Sequence, residues 1–346
     1  FPVLSDYSEI MLKLLASPNI ASKIWVYGQY DHEVGIRTVI KPGYDASVLR
    51  LDNGKFLSIK IDGNPKQCYI NPREGAIGCF EEACRNVVCT GAKPIGMLDH
   101  LQFGNPKDPE IFWTFLESLN GLTDFAKDFE IPCIGGKVSL FNETTNGSIK
   151  PTPVIGVIGL IDKKPLRTQK INSGDCLIMI GNTKDELGGS EYSEYIHKFI
   201  GGKCPTVDFS ESKKNMNAVL EIIENELIKS AHDCSKGGLA VAVSELCMTN
   251  LIGCTVSLER VPGDKLDHDK ILFSESHSRY LVTFEKKNIQ NLEELLKKHN
   301  VTFKIIGEFG GESIKFTADS KPIIDLSVDK TQKTWLNSLK EMVMHA

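Results

Sequence analysis

Apolar positions recur at two periods along this chain, and the places where the period changes mark its elements. Residues 24 to 62 alternate around Gly and Pro turns. Ser47-Val48-Leu49-Arg50-Leu51 and Leu57-Ser58-Ile59-Lys60-Ile61 flank Asp52-Asn53-Gly54-Lys55, which predicts an antiparallel hairpin. From Ala76 the period lengthens, and Ile77, Phe80, Ala83, Cys84, Val87 and Val88 share one face of a helix that ends near Gly91. A strand is expected over 95–98. A second amphipathic helix runs through Phe112, Trp113, Leu116, Leu119, Leu122, Phe125 and Ala126, followed by a strand at 131–134 and a long apolar strand at 154–161.

Residues 162–175 turn polar and carry Lys163-Lys164-Pro165 before Cys176-Leu177-Ile178-Met179-Ile180-Gly181 opens a new strand. The division expected is therefore an N-terminal sheet domain over 1–165 and a C-terminal α/β domain over 166–346. In the second half, Met216, Leu220, Ile223 and Leu227 predict one helix and Leu239, Ala242, Val243 and Leu246 another. A strand over 279–284 and a helix over 287–299 follow. Helices alternate with strands in both halves, so the fold class is α+β or α/β, and no short-period repeat appears.

Composition narrows the partners. At 346 residues the chain has room for two substantial cores, and a net charge of −5 gives no basic footprint for nucleic acid or an anionic membrane. Its ten cysteines include no C-x-x-C and several lie at apolar positions, so they read as reduced core residues of a cytoplasmic protein. No apolar run reaches membrane-spanning length, and Phe1-Pro2-Val3 has neither a signal-peptide pattern nor an initiator Met, which suggests a fragment or processed product.

Polar clusters sit at the ends of the expected elements. In Ile131-Pro132-Cys133-Ile134-Gly135-Gly136-Lys137-Val138-Ser139, an apolar run empties into paired glycines, whose N–H groups can approach an anion while Lys137, Ser139 and Asn142 add polar contacts. It is not a Walker A loop, because Ile131 and Val138 stand where that motif needs Gly and Ser or Thr. Paired glycines after a strand also make a plain tight turn. Asp31-His32-Glu33, Asp62-Gly63-Asn64-Pro65-Lys66 and Asp99 with Gln102, Gly104 and Asn105 form three more clusters. Asp62 and Asp99 are the preferred metal or nucleotide contacts, since Mg2+ takes hard oxygens and shares them with phosphates. Each Asp is equally read as a turn or helix cap. In the second half Glu186-Leu187-Gly188-Gly189-Ser190-Glu191-Tyr192 precedes a possible helix and offers a phosphate site. His232 and His277, in Ala231-His232-Asp233 and Phe273-Ser274-Glu275-Ser276-His277, fit a structural role better than a general base.

Several of these strings together resemble one family in order across nearly the whole chain. They are Gln29-Tyr30-Asp31-His32-Glu33-Val34, Asp62-Gly63-Asn64-Pro65, Phe103-Gly104-Asn105-Pro106, Gly136-Lys137-Val138-Ser139-Leu140-Phe141-Asn142-Glu143-Thr144, Leu187-Gly188-Gly189-Ser190-Glu191-Tyr192, His232-Asp233 with Gly237-Gly238-Leu239-Ala240, and Phe273-Ser274-Glu275-Ser276. The chain resembles the C-terminal half of the synthetase subunit of phosphoribosylformylglycinamidine synthase. Each half of that subunit repeats the fold of aminoimidazole ribonucleotide synthetase, a barrel-forming sheet domain plus an α/β sandwich. The resemblance implies a ligase of purine biosynthesis that joins formylglycinamide ribonucleotide and ammonia at the expense of ATP. Mg2+ is the implied cofactor. The implied partners are the N-terminal half, a glutaminase subunit and a small accessory subunit, in a dimer or pseudo-dimer. Phosphoryl transfer turns the amide oxygen into a leaving group that ammonia displaces, a task of positioning and charge neutralisation.

Carried over by motif, Asp99 and Gly136 resemble ATP contacts and Ser139 a substrate contact. Lys137 stands where the family has an asparagine that binds magnesium, and an ammonium has no lone pair to give a metal. It could instead neutralise phosphate, since opposite charges about 4 Å apart interact by about 4 kcal/mol at an effective dielectric of about 20. Where the N-terminal half has a histidine pair, this chain has Asp62-Gly63-Asn64-Pro65, so this half alone is expected to be inactive. His32, Gly188, Gly189, Ser190, Asp233 and Glu275 are read as an auxiliary pseudo-site. Under the alternative function, this half is a structural nucleotide-binding module that completes the other half's active site.

Overall fold

The computed structural model describes residues 5–166 and 170–345. Phe1-Pro2-Val3 and residues 167–169 of the polar joint lie outside them. The first sheet holds β1 (Thr38–Ile40), β2 (Ser47–Arg50), β3 (Phe56–Asp62), β4 (Lys93–Gln102), β5 (Cys133–Ser139) and β8 (Thr152–Ile161). Its order is β1-β2-β3-β8-β4-β5, antiparallel except for the β4–β5 pair. The hairpin forms as its alternation predicts. A small ribbon of β6 (Glu143–Thr144) and β7 (Gly147–Ser148) follows β5. One face of the sheet buries Val48, Ser58, Met97, Leu101, Ile155 and Val157 beneath helices, while the other leaves Ile61 65% and Leu98 40% exposed.

The covering helices start where the sequence stops their ladders from fraying. Asn64 caps α3 (Pro65–Ile70), Asn71 caps α4 (Pro72–Cys89) and Asp108 caps α5 (Pro109–Phe129), each with Pro in the first turn. The helix expected from Ala76 therefore begins a turn earlier. Every residue of α4 except Arg73 and Glu74 is buried, because the second half covers the side that reads as polar. On α5 the outcome is reversed, with Phe112 and Trp113 of its apolar stripe largely exposed.

The second sheet runs β10-β12-β9-β13-β11-β14-β15, formed by β9 (Cys176–Ile180), β10 (Ser230–Asp233), β11 (Cys254–Ser257), β12 (Tyr280–Phe284), β13 (Phe303–Phe309), β14 (Ser313–Ala318) and β15 (Lys321–Ser327). β9 is buried on both faces, which explains its unbroken apolar run. Cys176, Ile178 and Ile180 join the core shared with α4, α6 (Phe209–Glu224) and α9 (Ile289–Lys298). Leu177 and Met179 join the other core, with α7 (Gly238–Asn250) and α8 (His268–Phe273). Two helices that the periodicity reading passed over complete that layer: α1 (Tyr7–Ala16) packs against α10 (Val328–Met344) and β15. The N-terminal helix thus lies with the second sheet. Between it and β1 runs a connecting segment that includes α2 (Ile24–Tyr27).

Candidate functional site

Where α4 meets the second sheet, the two halves enclose a cavity of about 480 Å³. Asp45 enters it from the turn before β2, and Lys60 and Asp62 from the end of β3. Glu82 and Asn86 come from adjacent turns of α4, His232 and Asp233 from β10, Lys236 from the next loop and Glu245 from α7. Asn19 to Lys23, Tyr27 and Trp335 close the other side. Gly43 has φ +103, and a Cβ there would overlap the Tyr27 hydroxyl, so only glycine permits this closure.

The polar groups form one network. Asn86 Nδ2 donates to Asp233 Oδ2 at 3.0 Å and to Asp62 Oδ2 at 3.4 Å, while Lys60 Nζ donates to Asn86 Oδ1 at 3.1 Å. Lys236 reaches Glu82 at 3.1 Å, and Arg85 bridges Glu81 to Asp233. His232 Nδ1 lies 2.8 Å from Asp45 Oδ1, which also accepts the Asp233 N–H at 3.0 Å, and Nε2 lies 3.1 Å from Glu245 Oε2. Burial pushes Asp62 up to about 7, reinforced by Glu82 and opposed by Lys60 and Lys236. Burial also acts on Asp45, but the His232 ring and the Asp233 N–H outweigh it and hold that carboxyl below its ordinary range. For Lys236, Glu82 and Asp62 overcome burial and raise the ammonium. Asp45, His232 and Asp233 each place a ligand-type atom within 4.8 Å of the others. With Asp62, Glu82 and Asn86 nearby, the hard oxygens suit Mg2+ and the lysines suit phosphate.

The glycine-lysine-serine stretch is not the loop expected at a strand end. Gly135 and Gly136 lie inside β5, an edge strand that stays paired with β4 as far as Ser139. Asp62, Ile155, Asp99 and Gly136 form one row across four strands, and Ile61, Gly156, Leu98 and Gly135 form the next. By strand alternation Asp99 points to the side of Met97 and Leu101, whereas Lys137 and Ser139 share the open side with Leu98. Gly136 abuts Asp99, and a Cβ on it would overlap Oδ1. Burial raises the Asp99 carboxyl, against the pull of the Cys133 thiol and the Lys137 N–H. Ser139 is tied to Asn142, whose Nδ2 also donates to the Phe103 carbonyl.

The residues read as an auxiliary group are scattered. Asp233 lines the cavity; His32 does not, although its ring meets Tyr27 edge-on at 6.5 Å. Gly188, Gly189 and Ser190 are buried away from it, with Gly188 packed on the Lys203 carbonyl and Gly189 on Gln67. Ser190 donates to the Leu187 carbonyl, and the segment that follows is a single wide turn, Tyr192–Ile196, too short to present a helix terminus to phosphate. Glu275 takes the N–H groups of Glu191 and Gly237, both at 2.8 Å. The Gly188 and Ser190 N–H groups are spent on the Lys203 and Leu187 carbonyls, and the Glu191 N–H on the Glu275 carboxylate. Asp45, Lys60, Glu82, Asn86 and Lys236 escape the sequence reading; the one available signal was Gly43-Tyr44-Asp45, an acidic turn entering a strand.

A model of the AIR synthase related protein N-terminal domain matches residues 43–161, and one of the C-terminal domain matches 172–319. The two sheets with the cavity between them are thus the paired domains of an AIR synthase related protein. The phosphoribosylformylglycinamidine synthase subunit PurL of Alkaliphilus metalliredigens is 41% identical over 97% of this chain and 45% of its own length. That of Methanocaldococcus jannaschii is 42% identical over 98% and 47%. The chain belongs to the phosphoribosylformylglycinamidine synthase family, and it spans about half the length of these relatives. In fold it is similar to T. maritima PurL complexed with FGAR, with a TM-score of 0.77 at 20% identity over 96% of this chain and 54% of that one. The corresponding complex with ATP gives 0.72 at 21% over 93% and 52%. No helix among the described residues is long and apolar enough to cross a membrane.

Proposed function

We propose that this chain supplies half of an ATP-dependent ligase that converts formylglycinamide ribonucleotide, ammonia and ATP to formylglycinamidine ribonucleotide, ADP and phosphate. The observation that carries this reading is the sheet face holding Lys137 and Ser139. It is open, bordered by exposed Ile61 and Leu98, and belongs to a chain half as long as its relatives. The half of those relatives that this chain does not span would cover that face and complete the site. In the reaction the substrate amide oxygen attacks the γ-phosphorus of ATP and ADP leaves. Ammonia then adds to the amide carbon, and phosphate departs with its oxygen.

For this chain's own residues, Asp99, on the opposite face of the sheet and held against Gly136, would accept a nucleotide donor, and Ser139, on the open face, would offer its hydroxyl to substrate. Lys137 does not fit as a metal ligand and serves instead as a fixed positive charge beside phosphate. Mg2+ fits the cavity, where Asp45, Asp62, Asp233 and Glu82 would hold it, and it would neutralise phosphate charge there. The cavity also favours a second role, as an auxiliary site that retains a magnesium nucleotide without turning it over. Glutaminase and small accessory subunits are the proposed ammonia-supplying partners.

The test is an assay with ATP, Mg2+ and excess ammonium, on this chain alone and mixed with the N-terminal half of a PurL relative. Product is expected only from the mixture. Robust turnover by this chain alone would overturn the half-site reading, and nucleotide released on denaturing the purified chain would support the auxiliary role.

A further inference from the structure

We propose that Asn142 is a positioning residue that turns the Ser139 hydroxyl so that it offers substrate its lone pairs and not its hydrogen. The inference deepens the reading of Ser139 as a substrate contact and rests on it. β5 ends at Ser139, and three residues later the chain folds back onto that residue. The reversal is made at Phe141, which takes φ +60 although it is not glycine, and whose ring is 59% exposed. Such a backbone is strained and persists only where its surroundings hold it. Here the Phe141 N–H donates to the Gly104 carbonyl at 2.9 Å and the Asn142 N–H to the Phe103 carbonyl at 3.1 Å, so the turn is pinned to the segment that follows β4.

The turn brings the Asn142 side chain onto Ser139. One end of the amide faces two backbone carbonyls, Phe103 O at 3.0 Å and Ser139 O at 2.9 Å. A carbonyl oxygen only accepts, so the atom facing both is the nitrogen, and its two hydrogens are taken. Ser139 Oγ lies 3.2 Å from the same nitrogen and finds no third hydrogen there. The amide oxygen lies 3.3 Å from Oγ and accepts the hydroxyl hydrogen. What Oγ keeps for a ligand is a lone pair. On formylglycinamide ribonucleotide the ionised phosphate and the amide oxygens only accept, whereas the amide N–H groups and the ribose hydroxyls donate. Ser139 therefore receives one of those donors, and the substrate phosphate binds elsewhere. Asn142, an anion contact by its place in the sequence, has no hydrogen left to give one.

A double-substitution cycle on the assembled enzyme tests this, with Asn142→Ala, Ser139→Ala and the pair, KM measured for the ribonucleotide and for ATP, and thermal melts on every variant. Each single change should raise KM for the ribonucleotide about 3- to 10-fold, the contribution of one neutral hydrogen bond, and leave KM for ATP as in wild type. The pair should be no worse than Ser139→Ala, because Asn142 acts through Ser139 alone. Asn142→Asp keeps the shape but has no hydrogens for the two carbonyls, and it should match Asn142→Ala. Effects that multiply in the pair, or a KM for ATP that rises in step, would mark a loosened loop and overturn the positioning role. Inorganic phosphate, competing with the ribonucleotide, reads the polarity: its inhibition constant should be the same in Ser139→Ala as in wild type. Weaker inhibition in that variant would put Ser139 on phosphate and overturn the assignment of a donor. An unchanged KM for the ribonucleotide in Ser139→Ala is a separate failure, since it removes Ser139 from the substrate and takes the functional reading of that residue down together with this inference.

Discussion

The carboxylate of Asp99 and the α-carbon of Gly136 occupy adjacent strands in register, so close that a Cβ on Gly136 would overlap Oδ1. Glycine is required here by space, since its backbone is ordinary strand. Gly136→Ala must rotate the Asp99 carboxylate away, and because Gly136 lies on the edge strand β5 and Asp99 is only half-sheltered the fold can absorb the change. The expected outcome is a fall in turnover of about 10- to 100-fold in the assembled enzyme, the order produced by misplacing a reacting group by an ångström. Its melting temperature should move by only a few degrees. A variant with wild-type turnover would remove the Asp99–Gly136 contact from the site.

Gly78 on α4 tests packing of the opposite kind. Exchanging a helical glycine for alanine normally stabilises by about 1 kcal/mol. Here a Cβ would press on Nε2 of His277, which is buried, and would also approach Gln67. Burial and the Arg85 charge hold His277 down to about 3, so the ring is neutral and cannot escape to water by ionising. Overpacking costs about 1–3 kcal/mol, which outweighs the propensity gain. Gly78→Ala should therefore lower stability in urea melts.

Glu275 gives stability a pH dependence of defined sign. Burial pushes it up to about 7 despite Lys66 and the two N–H groups it accepts. Between the unfolded carboxyl value of about 4.3 and about 7, the folded chain keeps a proton that the unfolded chain has released. Raising pH through that window therefore destabilises the fold through this group, by up to about 1.4 kcal/mol per unit, and above it the loss is complete. Glu275→Gln retains an acceptor and removes the titration. The variant's stability relative to wild type should rise from pH 4.5 to 7 and then level off. A pH-independent difference in denaturant melts would contradict the raised value.

The open face of the first sheet predicts association. Ile61 and Leu98 flank Gly156 in one cross-strand row and are exposed, a liability unless another sheet covers them. Sedimentation equilibrium of the chain at micromolar concentration should show a dimer, and Leu98→Lys should shift it to monomer without changing the melt. A wild-type monomer in the absence of any second half would contradict this.

Elements whose pattern is set by their own residues were legible in the sequence: the hairpin around Asn53-Gly54, the apolar face of α4 and the doubly buried β9. The cavity was not, because its groups come from separate elements and acquire meaning only when these meet. Glu82 and Asn86 are four residues apart on what reads as the solvated side of α4, and burial by β10 makes them interior. Gly135-Gly136 misled for a related reason. Paired glycines lower strand propensity, yet β4 supplies a partner as far as Ser139 and the strand continues. The Gly188-Gly189-Ser190 run has the composition of a phosphate loop, but Glu275, far away in sequence, takes the Glu191 N–H that follows it.

The placement of nucleotide is tested most sharply by two aspartates of one sheet. Asp99 lies within β4 against Gly136, half-sheltered, where a cation or nucleotide donor can meet it. Asp52 lies in the exposed hairpin turn, paired only with Arg37 at 2.9 Å on the surface. A charge-assisted hydrogen bond contributes about 1.5–3 kcal/mol, so Asp99→Asn should weaken ATP binding by about 10- to 100-fold in the assembled enzyme. A surface ion pair is worth about 0–1 kcal/mol to stability and nothing to a distant ligand, so Asp52→Asn should bind ATP as wild type does. Calorimetric titration gives the two affinities, and thermal melts exclude unfolding as the cause. Equal affinities in two folded variants would take the nucleotide away from Asp99, and the roles proposed for Gly136 and Ser139 would go with it.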